Sequence, residues 1–148
     1  MARNQIDQTY DNDLLMHDSA SSIVASAAGL VAGAAKIIDF GTARIDGRLI
    51  VDVTALDVAA GDEATVFMQV SDGGPGTTAF EAGNWRAVGS IILGDVTLNG
   101  SKVDSTVGRY ELPFSNQLNG TVYRYGRIYL LIAASGALTY KAFIALKA

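Results

Sequence analysis

Between Val122 and Lys147 the chain reads VYRYGRIYLLIAASGALTYKAFIALK, its longest stretch rich in β-branched, aromatic and leucine side chains. Two apolar runs meet at Ser135-Gly136, and a two-residue loop ending in Gly suits the primed turns that match the twist of paired strands. The stretch therefore predicts a β-hairpin that sets Ala133 opposite Leu138, Leu131 opposite Tyr140, Tyr129 opposite Ala142 and Arg127 opposite Ile144. Side chains alternate along a strand, so these eight share one face, the expected core. The other face carries Ile128, Leu130, Ile132 and Phe143 beside Thr139 and Lys141. A sheet apolar on both sides has to be covered twice, by its own second sheet and by something else. Covering such side chains is worth roughly 1.5 to 3 kcal/mol each before association costs. The outward stripe thus predicts a homo-oligomer, most simply a symmetric dimer.

Composition narrows the function classes. With 148 residues the chain has one domain's worth of sequence and buries a core without metal or disulfide support. The absence of cysteine excludes a disulfide framework, a thiolate metal site and a cysteine nucleophile. Only two prolines, sixteen glycines and 49% hydrophobic residues, with a mean hydropathy of +0.25, describe a folded, oily chain suited to assembly. The net charge of −4 argues against a nucleic-acid binder, which is expected to be basic. Charge is also unevenly placed. Residues 37–108 hold ten acids against four bases, whereas residues 109–148 hold one acid against five bases, a dipolar surface that can orient docking.

The first eighteen residues, MARNQIDQTYDNDLLMHD, are polar and aperiodic and predict an N-terminal arm, 1–18, ahead of a single sandwich domain, 19–148. Ser19 to Ala35 is uncharged, but it has too few strongly apolar residues for a membrane span. A signal peptide needs a basic leading region where this chain has Asp7, Asp11, Asp13 and Asp18. Alanine content there favours helix, while the alternation Ile23, Ala25, Ala27 favours a strand of small residues, which is the expectation adopted. Lys36–Phe40 reads as a short strand. Leu49–Leu56 alternates with Leu49, Val51, Val53 and Ala55 on one face, and Ala64, Val66, Met68 and Val70 mark another strand. Asp72–Asn84 is a long loop by composition, Trp85–Leu93 a strand, and Asp95–Asp104 a hairpin around Asn99-Gly100. In Val107–Phe114, Tyr110, Leu112 and Phe114 face together, and Pro113 places the strand at an edge or ends it there. Short strands at steady spacing, without an amphipathic helix, predict an all-β fold: an antiparallel two-sheet sandwich of jelly-roll type with an extended N-terminal arm.

The chemistry-bearing residues do not assemble into a catalytic pattern. His17 is the only histidine, and from a polar arm it is poorly held as the base of a triad. One histidine without cysteine leaves only carboxylates for a zinc shell. Asp11-Asn12-Asp13 suggests calcium, but Met16 stands where an EF-hand needs Gly and Ser22 where it needs Glu. Gly74-Pro75-Gly76-Thr77-Thr78-Ala79 matches a dinucleotide fingerprint with no helix to follow it. Asn99-Gly100-Ser101 and Asn119-Gly120-Thr121 are sequons by pattern and turns by context. A carboxylate pair for glycoside hydrolysis stays open without any pair being selected. Tyr110, Tyr123, Tyr125, Tyr129 and Tyr140 could line a sugar-binding face or pack within a sheet. No catalytic residue, cofactor or metal is expected.

The order of segments resembles that of a known family. Leu14-Leu15 is followed by Asp18-Ser19-Ala20, the small-residue strand from Ile23, Ile37-Ile38-Asp39-Phe40-Gly41, Leu49 to Val53, Gln69-Val70-Ser71-Asp72, Phe80, and the pattern from Arg124 to Gly136. Across most of the chain this resembles the jelly-roll capsid cement, or decoration, proteins of short-tailed bacteriophages. The resemblance implies a non-enzymatic virion protein, made in the host cytoplasm and carried on the capsid exterior. It would clamp adjacent major capsid protein subunits, with no direct contact to nucleic acid or membrane. The expected partner-binding residues are Tyr10, Leu14 and Leu15 of the arm, and Ile128, Leu130, Ile132 and Phe143 of the hairpin. The alternative is a carbohydrate- or receptor-binding β-sandwich module of a virion.

Overall fold

The computed structural model describes residues 12–18, 21–59, 61–73, 84–95 and 104–146. After a 3-10 turn at Asn12–Leu14, the strands among the described residues are β1 (Leu15–His17), β2 (Ala27–Ala28), β3 (Leu30–Val31), β4 (Ala34–Ala35), β5 (Ile38–Asp39), β6 (Asp46–Asp57), β7 (Glu63–Ser71), β8 (Arg86–Gly94), β9 (Gly108–Ser115), β10 (Gln117–Leu118), β11 (Thr121–Val122), β12 (Tyr125–Ala133) and β13 (Ala137–Leu146). Among the described residues no helix is long and apolar enough to cross a membrane.

Two antiparallel sheets face each other. The first has the order β1-β13-β6-β9, and the second β2-β12-β7-β8 with β5 also on β12. Taking β1, β2, β6, β7, β8, β9, β12 and β13 as the first to eighth strands, the sheets read 1-8-3-6 and 2-7-4-5, which is the jelly-roll arrangement of two Greek keys. The all-β two-sheet expectation therefore holds. Pro113 does lie on an edge strand, β9, as its missing N–H leads one to expect.

The core fills the space between the sheets. Leu49, Val51 and Val53 of β6 and Leu138, Tyr140, Ala142 and Ile144 of β13 meet Ile128 and Leu130 of β12 and Ala64, Val66 and Met68 of β7. Tyr110, Leu112 and Phe114 join it from β9 as expected, whereas Ala55 is exposed. A second cluster lies on the outer side of the first sheet, where Leu15, Ile50, Phe143 and Ala145 are packed by Val31. Val31 belongs to the small hairpin β3–β4, which turns through Ala32 and Gly33 at φ 51° and 78°. Two positive-φ residues in sequence make the primed turn that fits strand twist.

The expected hairpin is not formed. β12 pairs with β7 and β13 with β6, so the chain crosses from one sheet to the other at Ala134–Gly136. Ser135 N donates to Asp62 Oδ1 at 2.9 Å, and Gly136 N to Ala133 O at 3.4 Å, which pins the crossing. The even positions of β12 consequently face inward. Ile128 is fully buried, Leu130 is 1% exposed, and half-buried Ile132 packs on the core. Phe143 does face outward from its sheet, but Leu15, Val31 and the Arg109 guanidinium 5.7 Å from its ring leave it 4% exposed. The outward stripe of Ile128, Leu130, Ile132 and Phe143 thus does not exist as a free surface. The physical reason is that Ile128, Leu130 and Ile132 form the wholly apolar row of β12, whereas the opposite row includes Arg127, whose charge is expensive to enclose.

Candidate functional site

With the even row of β12 in the core, Tyr125, Arg127, Tyr129 and Leu131 lie on the outer face of the second sheet. The ladder to β7 sets Arg127 beside Gln69, Tyr129 beside Phe67 and Leu131 beside Thr65, and on the far side of Thr65 stands Ile92 of β8. Leu131 is 43% exposed and Ile92 62% exposed, so aliphatic surface continues from the aromatic row out to the sheet's edge strand.

Arg127 organises the centre of this face. Its Nε donates to Gln69 Oε1 at 2.9 Å, and its guanidinium carbon lies 4.4 Å from the centroid of Trp85 and 5.2 Å from that of Tyr129. Both distances are within cation–π range. Trp85 is buried immediately before β8, so the indole is a fixed wall rather than a surface flag. Burial holds the Arg127 pKa below its ordinary value, with the Tyr129 phenol acting the other way.

Nearby, Arg124 grips Asp39 through two hydrogen bonds of 2.8 Å, from Nε to Oδ1 and from Nη2 to Oδ2, and lies 5.2 Å from the Tyr125 ring centroid. That clamp, together with the Gly41 N–H, lowers the Asp39 pKa to about 2. It ties β5 to the start of β12 and closes the end of the sheet.

The arm residues divide. Tyr10 lies outside the described residues. Leu14 is half-buried against the main core, and Leu15 belongs to the outer cluster. Residues 12–18 are therefore part of the sandwich rather than of a free arm: β1 is the edge strand on β13, with a register shift between Leu15 and His17. His17 is also placed differently from expectation. It is 1% exposed, its ring stacks on Tyr140, and its Nδ1 accepts the Leu30 N–H at 3.0 Å. An acceptor Nδ1 fixes the neutral Nε2–H tautomer, and Nε2 has no hydrogen-bond partner among the described residues. Enclosed in this way, the imidazole cannot reach a substrate at the surface.

The tyrosines do not share one face. Tyr140 is in the core, Tyr110 bonds the Thr106 carbonyl at 2.6 Å through its hydroxyl, and Tyr125 and Tyr129 face outward on the second sheet. Asn119-Gly120 is the turn between β10 and β11, at φ 51° and 82°, whereas Asn99-Gly100 lies outside the described residues. Among the described residues no three His, Cys, Asp or Glu side chains come together to hold a metal.

Sequence reasoning passed over the Arg127–Gln69–Trp85 arrangement. The available signal was Arg127 itself, a cation in the middle of an otherwise apolar alternating run. No protein-family model matches this chain, and no curated protein matches it.

Proposed function

We propose that this chain is a non-enzymatic capsid decoration protein. In this reading it binds the outer surface of an assembled viral head and clamps adjacent major capsid protein subunits, stabilising the DNA-filled shell. The observation that carries the reading is the outer face of the second sheet, where Arg127, Tyr129 and Leu131 stand beside Phe67 and Ile92 on rigid strands. Aromatic and arginine anchors within an aliphatic surround are the composition of a protein-docking surface. The jelly-roll topology and the resemblance in segment order support the same reading, although topology alone would not carry it.

The mechanism is linkage. A protein that binds the expanded coat lattice better than its alternatives stabilises that lattice by the difference in binding free energy. Two modest contacts from one molecule, through the sheet face and through residues 1–11, hold neighbouring subunits by raising effective concentration. The test compares decorated heads with stripped heads on heating and at low ionic strength, where repulsion within packaged DNA is least screened. Decorated heads are expected to retain DNA at higher temperature. Removal of residues 1–11, which leaves β1 in place, is expected to lower occupancy far more than it lowers the melting temperature of the free protein. Equal resistance of stripped and decorated heads would end this reading. Two aromatic rings beside a guanidinium also suit a carbohydrate-binding module, and binding on a glycan array without binding to heads would favour that alternative.

A further inference from the structure

Arg44, Arg48, Arg109 and Arg124 each reach a carboxylate, on Asp46, Glu111, Asp52 and Asp39 respectively, at 2.7 to 3.2 Å. Arg127, the more enclosed cation, has no carboxylate partner among the described residues; its polar contact is the neutral amide oxygen of Gln69. Desolvation of a guanidinium without a counter-ion works against folding, and the same desolvation holds the Arg127 pKa below its ordinary value. With Nε committed to Gln69 and the rings of Trp85 and Tyr129 beside the guanidinium plane, the donors left to serve a partner are those on the two Nη atoms.

We propose that this face docks an acidic patch of the coat subunit, with a coat aspartate or glutamate carboxylate closing a bidentate pair on the Nη edge of Arg127. The inference rests on the decoration reading and names the chemistry of its partner. A carboxylate supplies two acceptors at the spacing of the guanidinium fork. The surround decides between sources of that carboxylate. Leu131 and Ile92 offer aliphatic surface that an apolar rim on a protein covers and a hydroxylated sugar does not. A second copy of this chain is a poor occupant, because a two-fold axis through the centre of the face would bring two like guanidinium groups together.

Arg127→Gln and Arg127→Lys are compared with wild type for co-sedimentation with expanded shells of the coat protein, with Arg44→Gln as the control for a lost surface charge. Truncating one member of an enclosed charge pair typically costs 2 to 5 kcal/mol, so Arg127→Gln is expected to weaken shell binding by at least about thirty-fold. Arg127→Lys retains the charge without the planar fork and falls between, while Arg44→Gln stays within about three-fold of wild type. The free Arg127→Gln protein is expected to melt at the wild-type temperature or above it, because removing an uncompensated cation relieves the folded state. Weakened binding with undiminished stability therefore separates docking from a structural role.

Three outcomes would overturn the inference while leaving the decoration reading in place. These are wild-type affinity in Arg127→Gln, a large fall in its melting temperature, or a change in its oligomeric state with shell binding intact. Failure of the wild-type protein itself to bind shells would overturn the decoration reading and the inference together.

Discussion

The imidazole of His17 lies flat on the phenol ring of Tyr140, with centroids 4.1 Å apart and 11° between the planes. This stack joins the edge strand β1 to the centre of β13, and burial keeps the imidazole neutral by lowering its pKa, against the opposing pull of Asp18. As pH falls below the ordinary value of 6.5, the unfolded chain takes up a proton that the folded chain refuses, and stability declines. Above that value the contribution is complete. One proton sets a ceiling of about 1.4 kcal/mol per pH unit. Chemical denaturation at pH 8 and pH 5 is expected to show that loss in wild type. His17→Phe keeps a stacked ring but leaves the Leu30 N–H without its acceptor, so it should be about 1 to 3 kcal/mol less stable at pH 8 and nearly flat between the two conditions. Asp39, held at about 2 by Arg124, adds its own loss only below 3.8, a separate window.

Leu130→Glu provides a second check, because the two placements of β12 give opposite results. On an outward stripe it would convert an oligomer to a folded monomer. In the structure Leu130 is enclosed between the sheets, so a carboxylate there loses the apolar transfer energy and is itself desolvated. The expected outcome is loss of the folded state by circular dichroism and thermal melting, at a cost of about 4 kcal/mol or more. A folded variant with changed sedimentation would contradict the burial.

How much was legible in the sequence follows from these two residues. Strict alternation at Leu49–Val53 and Ala64–Val70 marks both strands, and the apolar row of each, Leu49, Val51 and Val53 and Ala64, Val66 and Met68, is the one the core takes up. In β12 the same rule selects Ile128, Leu130 and Ile132, but Gly136 after a serine is also a tight-turn signal, and a hairpin there puts Arg127, Tyr129 and Leu131 on the face of Leu138 and Tyr140 instead. A jelly roll joins most successive strands across its two sheets, so a short loop between apolar runs is weak evidence for a hairpin. His17 was hidden by its neighbours. Asp11, Asp13 and Asp18 make the segment look like a solvated arm, and only the apolar triplet Leu14-Leu15-Met16 betrays the edge strand inside it. Arg127 became interpretable only with contacts from distant strands, since Gln69 is 58 residues away in sequence.

Gly29 lies between Met16 of β1 and Ile128 of β12. Its N–H donates to Ile128 O at 3.1 Å, and a Cβ built on it would meet the Met16 carbonyl oxygen and come within 2.6 Å of Ile128 Cγ1. A backbone oxygen cannot rotate away as a side-chain tip can, so Gly29→Ala must push β1 outward. Overpacking of this kind costs about 1 to 3 kcal/mol. Hydrogen exchange should show the amides of β1 losing protection while those of β7 keep theirs; uniform loss across both would show that β1 does not move separately.

Asn116, just past the end of β9, joins residues 43–45 to Tyr123 through its side chain. Fully buried, its Oδ1 accepts the Ile45 N–H at 2.7 Å, while its Nδ2 donates to Ala43 O at 3.1 Å and Tyr123 O at 2.9 Å. Only an amide offers one acceptor and two donors in this geometry. Asn116→Ala strands one N–H and two carbonyls and is expected to cost about 2 to 4 kcal/mol. Asn116→Asp is the sharper test. A carboxylate can still accept from Ile45, but it turns a second oxygen toward the carbonyls of Ala43 and Tyr123, which raises its pKa in the folded state. The folded protein then binds the proton that the unfolded chain releases, so the deficit of Asn116→Asp should shrink as pH falls toward 5, opposite in sign to the His17 effect. Measuring both proteins in the His17→Phe background removes the imidazole's own slope. A deficit that stays constant or grows on acidification would mean that the Asn116 side chain does not bridge those two carbonyls.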